Sequence, residues 1–248
     1  MKKRLNIHAG HNPAHMKGCG ATSILNESIE DRAIKNEVLR LLGLLGHTAY
    51  DCTVDNGKNA DDVLTKIVEQ CNAHYDYHKK LNEKIDYDVS IHLNAGRKDL
   101  NGDGQTGGVE VLIYSEDMRP VAEAVCKEIA ALGFRNRGVK VNKSLYVLRK
   151  TKAPAMLIEC CFVDDADDAR LYNAASMAKA IVKGLTGEEY VEPSVTPDAE
   201  ASKADAETAQ GDPKKLYRVQ VGAYSVKDNA ERMKAKLIAA GFDAYIVG

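Results

Sequence analysis

Four residues spread along the first two thirds of the chain could together form a hydrolytic metal site: His11, Glu27, His92 and Glu159. Two histidines and one carboxylate supply three protein ligands and leave a fourth coordination position open, which is the arrangement of a catalytic zinc ion. Such an ion lowers the pKa of a bound water towards neutrality. The residue types therefore predict a Zn²⁺ hydrolase in which His11, Glu27 and His92 bind the metal and Glu159 is a separate catalytic carboxylate.

Glu27 begins a helical pattern and lies on its apolar face. With Asn26 as the N-cap, Ile34, Val38 and Leu41 recur on the same face as Glu27. Burying an unpaired carboxylate there would cost several kcal/mol, so we expect a cation beside it. The alternative is that Glu27 only complements the helix dipole.

Both candidate histidines come at the ends of predicted strands. His92 ends a strand in which Ser90 faces the same side, and His11 follows the first strand in a glycine-containing turn. His8 competes with His11 as a ligand because it precedes the same turn. The other histidines are expected at the surface: His15, His47, His74 and His78.

Glu159 ends an apolar strand beside the predicted metal. A carboxylate in that position can take a proton from zinc-bound water and return it to a leaving amine. The alternatives are a fourth zinc ligand or a salt-bridged strand end. Cys160 and Cys161 follow directly, but no histidine is placed to activate either thiol as a nucleophile.

Length and composition limit the classes of protein to which the chain can belong. The 248 residues are 44% hydrophobic, which is enough for one large domain and a small one. The formal net charge of -2 gives no reason to expect nucleic acid or an anionic membrane as a partner. No apolar run is long enough to span a bilayer. Six cysteines without CxxC spacing indicate reduced, buried thiols.

A change in composition divides the chain into three parts. Residues 1–189 are predicted to form the catalytic domain. Residues 190–213 are rich in Ala, Pro, Ser and acidic residues, and such a segment cannot bury enough apolar surface to fold, so it is predicted to be a disordered linker. Residues 214–248 form a separate C-terminal piece.

Strand and helix patterns alternate through the large domain. The predicted strands are Arg4–Ile7, Thr48–Cys52, Tyr87–His92, Gly108–Tyr114, Leu145–Leu148 and Ala155–Cys160. The predicted helices are Glu27–Leu45, Ala60–Tyr77, Met118–Leu132, Asp165–Tyr172 and Ser176–Leu185. This alternation predicts an α/β fold with a mostly parallel central sheet flanked by helices on both faces.

The C-terminal piece has the pattern of a small βαβ unit. A strand over 216–224 is followed by a helix that Ser225 could cap, and a second strand covers 242–247. About 35 residues are too few to fold alone, so the unit must pair with another surface or another copy of itself. The sequence therefore allows a homodimer formed through this unit.

The segment Asp99–Glu110 matches the spacing of an EF-hand calcium loop. Oxygen ligands fall at the first, third and fifth positions, a glycine at the sixth and a glutamate at the twelfth. No helices flank the segment, and a polar turn between strands explains it without calcium.

Several motifs, in order, resemble the zinc-dependent N-acetylmuramoyl-L-alanine amidases. The Gly10-His11 turn, the segments Ser90–Ala95 and Gly108–Val111, and the block Pro154–Glu159 match that family's pattern over about residues 4–186, although His8-Ala9 replaces a common Asp-Pro. The resemblance implies zinc bound by the three residues above, Glu159 as acid/base, and cleavage of peptidoglycan between muramic acid and L-alanine. The C-terminal unit resembles one repeat of the SPOR peptidoglycan-binding domain.

Other functions remain open from the sequence. A zinc carboxypeptidase would use the same chemistry within the stem peptide, and a non-catalytic wall-binding protein would keep only the fold. The basic N-terminus turns polar too soon for a signal peptide, so we expect synthesis in the cytoplasm and action on the wall after lysis or release through a holin. That fits either a phage endolysin or an enzyme that lyses a mother cell after sporulation.

Overall fold

The computed structural model describes residues 2–191 and five positions further on: 231, 233, 234, 245 and 246. The chain divides into two units, residues 1–192 and 193–248, and the fold given below is that of the first. Apart from those five positions, the predicted βαβ unit over 214–248 lies outside the described residues, as does nearly all of the predicted linker over 190–213.

Strands and helices alternate along the first unit. The strands are β1 Arg4–Ala9, β2 Thr48–Asp51, β3 Tyr87–Asn94, β4 Val109–Ile113, β5 Asn136–Val141 and β6 Ala155–Phe162. The helices are α1 Glu27–Leu44, α2 Ala60–Lys80, α3 Arg119–Ala130, α4 Tyr146–Lys150, α5 Ala166–Leu171 and α6 Ala174–Thr186. A single 3₁₀ turn, Glu116–Met118, leads into α3.

The six strands of the described residues form one sheet in the order β2-β1-β3-β6-β4-β5. Neighbours are parallel except β4 and β6, which run antiparallel. The predicted mostly parallel sheet is therefore confirmed. The chain leaves β1 to form β2 on one side and later β3 on the other, so a crevice is expected at the carboxyl ends of β1 and β3.

Helices cover both faces of the sheet, as predicted. On one face, α1, α3 and α6 pack over a large core that includes Ile7, Ile91 and Ile158. On the other face, α2 and α4 pack over a smaller core that includes Ile67 and Leu157. Alternate residues of each strand therefore enter different cores, and both faces of the sheet are closed to solvent.

Helix α1 begins and packs as its sequence pattern indicates. The Asn26 side chain accepts a hydrogen bond from the Ile29 N–H and so caps the helix. Ile34, Val38 and Leu41 are fully buried on one face. Glu27 lies in the first turn and is also buried, which brings its carboxylate to the crevice end of the sheet.

The predicted strand over Leu145–Leu148 is wrong, because α4 occupies Tyr146–Lys150. The Asn142 side chain accepts the Leu145 N–H and turns the chain just before the helix. Val147 and Leu148 then enter the smaller core against α2. A short apolar run is compatible with either element, and only this packing decides which one forms.

Strand β5, Asn136–Val141, was not predicted. It lies at the edge of the sheet, where its single neighbour is β4. Edge strands carry charged residues that keep them from pairing with other chains, and here Arg137 and Lys140 obscure the alternation that marks a buried strand.

Two of the histidines that were expected at the surface are buried. His47 accepts a hydrogen bond from the Lys3 N–H, and His78 lies between Tyr50 and Glu83, 2.7 Å from each. The cysteines meet the expectation more closely: all six are free, and five of them are buried.

Candidate metal centre

Three elements bring two histidines and a glutamate together. His11 follows β1, Glu27 is the first residue of α1, and His92 lies near the end of β3. One potential ligand atom from each lies within 4.8 Å of the others. A single oxygen of Glu27, Oε1, is 3.1 Å from both His11 Nε2 and His92 Nδ1. The structure thus brings together the three residues predicted as metal ligands.

Backbone groups hold the Glu27 carboxylate in place. The Ala21 N–H donates to Oε2 at 2.9 Å, and the Leu93 N–H donates to Oε1 at 3.1 Å. Burial alone would raise the pKa of Glu27, but hydrogen bonds from His11 and His92 outweigh it and hold that pKa well below its usual range. Glu27 is therefore an ionised, buried acceptor at the centre of the site.

The two imidazoles respond differently to the same surroundings. Burial lowers the pKa of His92, and the partly offsetting hydrogen bond with Glu27 does not reverse it. For His11, burial also acts to lower the pKa, but the hydrogen bond and charge of Glu27 raise it overall. The rings meet edge to face, with centroids 4.8 Å apart.

Two glycines leave the space that these side chains occupy. A Cβ placed on Gly10 would lie 1.8 Å from His92 Cε1, and one on Gly20 would lie 2.4 Å from Glu27 Oε2. Any other residue at either position would overlap the candidate ligands. The need for glycine follows from this close approach, because neither residue has a positive φ.

The donor set fits a zinc ion. Two imidazole nitrogens and one carboxylate oxygen match a hydrolytic zinc centre, which keeps a further position open for water or substrate. The ionised Glu27 carboxylate is buried between two imidazoles, where a cation would satisfy all three groups at once.

Glu159 lies beside this cluster on β6, where it is the register partner of His92 on β3. Its Oε2 atom is buried without a hydrogen-bond partner. Burial, followed by the charges of Glu27 and Glu110, raises the pKa of Glu159 to about 8. A carboxyl group with a pKa near neutrality can accept and release a proton during catalysis.

The structure does not bring His8 to the other candidate ligands. His8 lies on the face of β1 that carries Asn6, beneath α2, and its Nδ1 atom is 3.4 Å from Ser90 Oγ. Burial and the charge of His92 lower the pKa of His8 to about 3, so this imidazole is neutral. His8 lies on the same face of the sheet as His92, but Ser90 Oγ separates the two imidazoles.

Charged residues next to Glu159 were missed by sequence reasoning. Glu110 on β4 is the register partner of Glu159 and accepts hydrogen bonds from Asn94, Arg137 and Lys140. The signal in the sequence was the apolar β4 pattern interrupted by a glutamate.

In the segment Asp99–Glu110, which has EF-hand spacing, the residue at the twelfth position, Glu110, lies in β4 and accepts hydrogen bonds from these other partners. Asp99 instead lies near Asp165 and Asp167, with one carboxylate oxygen of each within 4.8 Å of the others. Backbone N–H groups and Arg97 already donate to these carboxylates.

No helix in the described part of the chain is long and apolar enough to cross a membrane.

Comparison with known proteins agrees with the geometry. The chain is 29% identical over 205 residues to an uncharacterized protein of Clostridium perfringens, covering 79% of this chain and 55% of the relative. It is 32% identical over 166 residues to the N-acetylmuramoyl-L-alanine amidase CwlM of Bacillus licheniformis, covering 65% of this chain and 56% of the relative. The chain thus spans about half the length of these relatives.

A solved structure shares the fold. The catalytic domain of the CD27L endolysin targeting Clostridia difficile aligns with a TM-score of 0.65 and 25% identity, over 76% of this chain and 99% of that one. Residues 213–248 match the SPOR domain. Residues 6–187 match the N-acetylmuramoyl-L-alanine amidase family, and the chain belongs to that family.

Proposed function

We propose that the protein is a zinc-dependent N-acetylmuramoyl-L-alanine amidase, with Zn²⁺ held by His11, Glu27 and His92. The observation that carries this proposal is the approach of His11 Nε2 and His92 Nδ1 to one oxygen of Glu27, with Glu159 next to His92 on the neighbouring strand. These groups lie towards the carboxyl ends of β1 and β3, where an α/β sheet of this topology is expected to bind ligands.

The proposed roles follow from the position of each side chain. A bound zinc ion supplies Lewis acidity and lowers the pKa of its water. The Glu159 carboxylate accepts a proton from the attacking water and returns it to the departing L-alanine nitrogen. Its burial beside Glu27 favours the first of these steps, because surroundings that raise the pKa of Glu159 make its carboxylate a stronger base.

The proposed substrate is the amide bond between N-acetylmuramic acid and L-alanine in peptidoglycan. Residues 213–248, which match the SPOR domain, would hold the enzyme on the wall and could pair two copies of the chain. Similarity to proteins named endolysins supports action on the wall after lysis or release through a holin.

The test is digestion of purified peptidoglycan with the whole protein, followed by mass spectrometry and metal analysis. An amidase releases stem peptides with a free L-alanine amine and leaves glycans with intact lactyl groups. His92→Ala should lose both zinc and activity. Release of a C-terminal amino acid from the stem would identify a carboxypeptidase instead.

Two other results would contradict the proposal. Absence of any cleavage by a zinc-loaded protein would indicate a binding protein. A full equivalent of zinc retained by His92→Ala would show that the ligand set is wrong.

A further inference from the structure

Ser90 on β3 lies between two buried histidines. Its Oγ atom is 3.0 Å from His92 Nε2 and 3.4 Å from His8 Nδ1. Ser90 and His8 are each 1% exposed, and His92 is 8% exposed. Water therefore has little access to the hydrogen-bonding groups of this row, and they must satisfy one another.

The direction of the hydrogen bonds among His92, Ser90 and His8 follows from Nδ1, the nitrogen on the other side of the His92 ring. Nδ1 faces the Glu27 oxygen that His11 also approaches, so Nδ1 is the nitrogen in position to bind a metal. A neutral imidazole carries one proton, which must reside on Nε2 when a metal occupies Nδ1. That N–H donates to Ser90 Oγ, and the Ser90 hydroxyl is free to donate to His8 Nδ1.

We propose that Ser90 is a positioning residue that fixes the tautomer and ring orientation of His92 for zinc, with His8 as the acceptor that completes the row. The inference rests on the zinc site of the proposed function. Ligating histidines commonly donate their second N–H to a group of this kind, and loss of that group costs about 10–100-fold in metal affinity.

Ser90 is the group that the structure places at Nε2, whereas Glu27 meets Nδ1. Gly10 offers no side chain on the face that it presents to His92. Without Ser90, the Nε2–H would be buried without a partner, a state that penalises the metal-binding tautomer. The row also accounts for His8, a buried histidine that the catalytic chemistry does not use.

The test measures zinc affinity of the whole protein by competition with a chromogenic chelator. Ser90→Ala should bind zinc about 10–100-fold more weakly than the parent. Ser90→Thr keeps the hydroxyl and should stay within about threefold. Thr151→Val is the matched control, since Thr151 lines the same small cavity as His8 and Ser90 but hydrogen-bonds to Val147 instead of His92.

A second readout reports the tautomer directly. In ¹⁵N-histidine NMR spectra of the zinc-loaded parent protein, the His92 proton should be on Nε2 with a hydrogen bond to Ser90. In zinc-loaded Ser90→Ala, the Nε2 resonance should move to that of an N–H group without a hydrogen-bond partner. The parent spectrum alone tests the direction of the hydrogen bond, so the inference stays testable even if Ser90→Ala fails to fold.

Three results would overturn the inference: a His92 proton on Nδ1 in the parent with zinc, Ser90→Ala binding zinc as tightly as Thr151→Val, or Ser90→Thr failing as badly as Ser90→Ala. If the parent binds no zinc at all, the proposed metal site falls and this inference with it. If the parent binds zinc and Ser90→Ala binds it with the same affinity, this inference is overturned but the proposed metal site is not.

Discussion

A single methyl group at Gly10 should disable the metal site. The Cβ of Gly10→Ala would lie 1.8 Å from His92 Cε1 and 1.9 Å from Nε2. Non-bonded carbon atoms rest about 3.5 Å apart, so the ring must move away by about 1.7 Å. Gly10 has no positive φ, so the alanine backbone itself is unstrained and the effect is one of space.

A displacement of that size breaks the contacts of His92 with both Glu27 and Ser90, which are now 3.1 Å and 3.0 Å long. Misplacing a reacting or ligating group by about 1 Å can cost about 100-fold in rate. We therefore expect Gly10→Ala to lose at least about 100-fold in zinc affinity and in turnover on soluble muropeptides.

Gly43→Ala is the matched control, because a Cβ on Gly43 in α1 meets nothing within 4 Å. It should bind zinc normally and gain about 0.5–1 kcal/mol of stability from the higher helix propensity of alanine. Circular dichroism should show the parent fold in both variants. If Gly10→Ala keeps its zinc affinity and turnover within twofold of those of Gly43→Ala, a Cβ at position 10 does not displace His92 from the metal site.

Three further predictions test the catalytic carboxylate, the domain division and a buried acid. Glu159→Gln should keep its zinc and its wall sedimentation but lose at least about 100-fold in turnover; activity within a few-fold of the parent would reduce Glu159 to a structural role, and zinc loss would make it a ligand. A chain ending at Glu189 should hold zinc and cleave soluble muropeptides at nearly the full rate but sediment less with intact walls; insolubility would mean that the removed residues complete the fold. Burial raises the pKa of Asp88 from 3.8 to about 6, so ionisation of this group lowers the free energy of unfolding. This loss of stability is absent below pH 4 and complete above pH 6. Asp88→Asn should therefore match the parent in urea melts at pH 4 and exceed it by about 1–3 kcal/mol at pH 7; an equal difference at both pH values would refute this cause.

Much of the fold could be predicted from the sequence because its signals are local. Helix α1 has a cap at Asn26 and an apolar face that repeats every turn, and β3 has an alternating pattern with a histidine near its end. Such patterns depend on neighbours within a few positions. The residues of the candidate site were found in the same way, as polar side chains at the ends of these elements.

Elements with weak local patterns could not be assigned in this way. Strand β5 is charged because it lies at the edge of the sheet, and α4 is a short apolar run whose helical form depends on packing against α2. The position of β5 in the tertiary structure explains its charged residues, and the packing of α4 decides that its apolar run forms a helix.

Sequence alone also determined that His11, Glu27 and His92 are of the types that bind zinc, but only the tertiary structure decided which atoms meet. The contact between Glu27 and His92 joins residues 65 positions apart. It depends on the order of the strands, the entry angle of α1 and the space left by Gly10. The same packing places Ser90 behind the His92 ring, between His92 and His8. Local propensity carries no information about such distances, because they are set by how whole elements pack against one another.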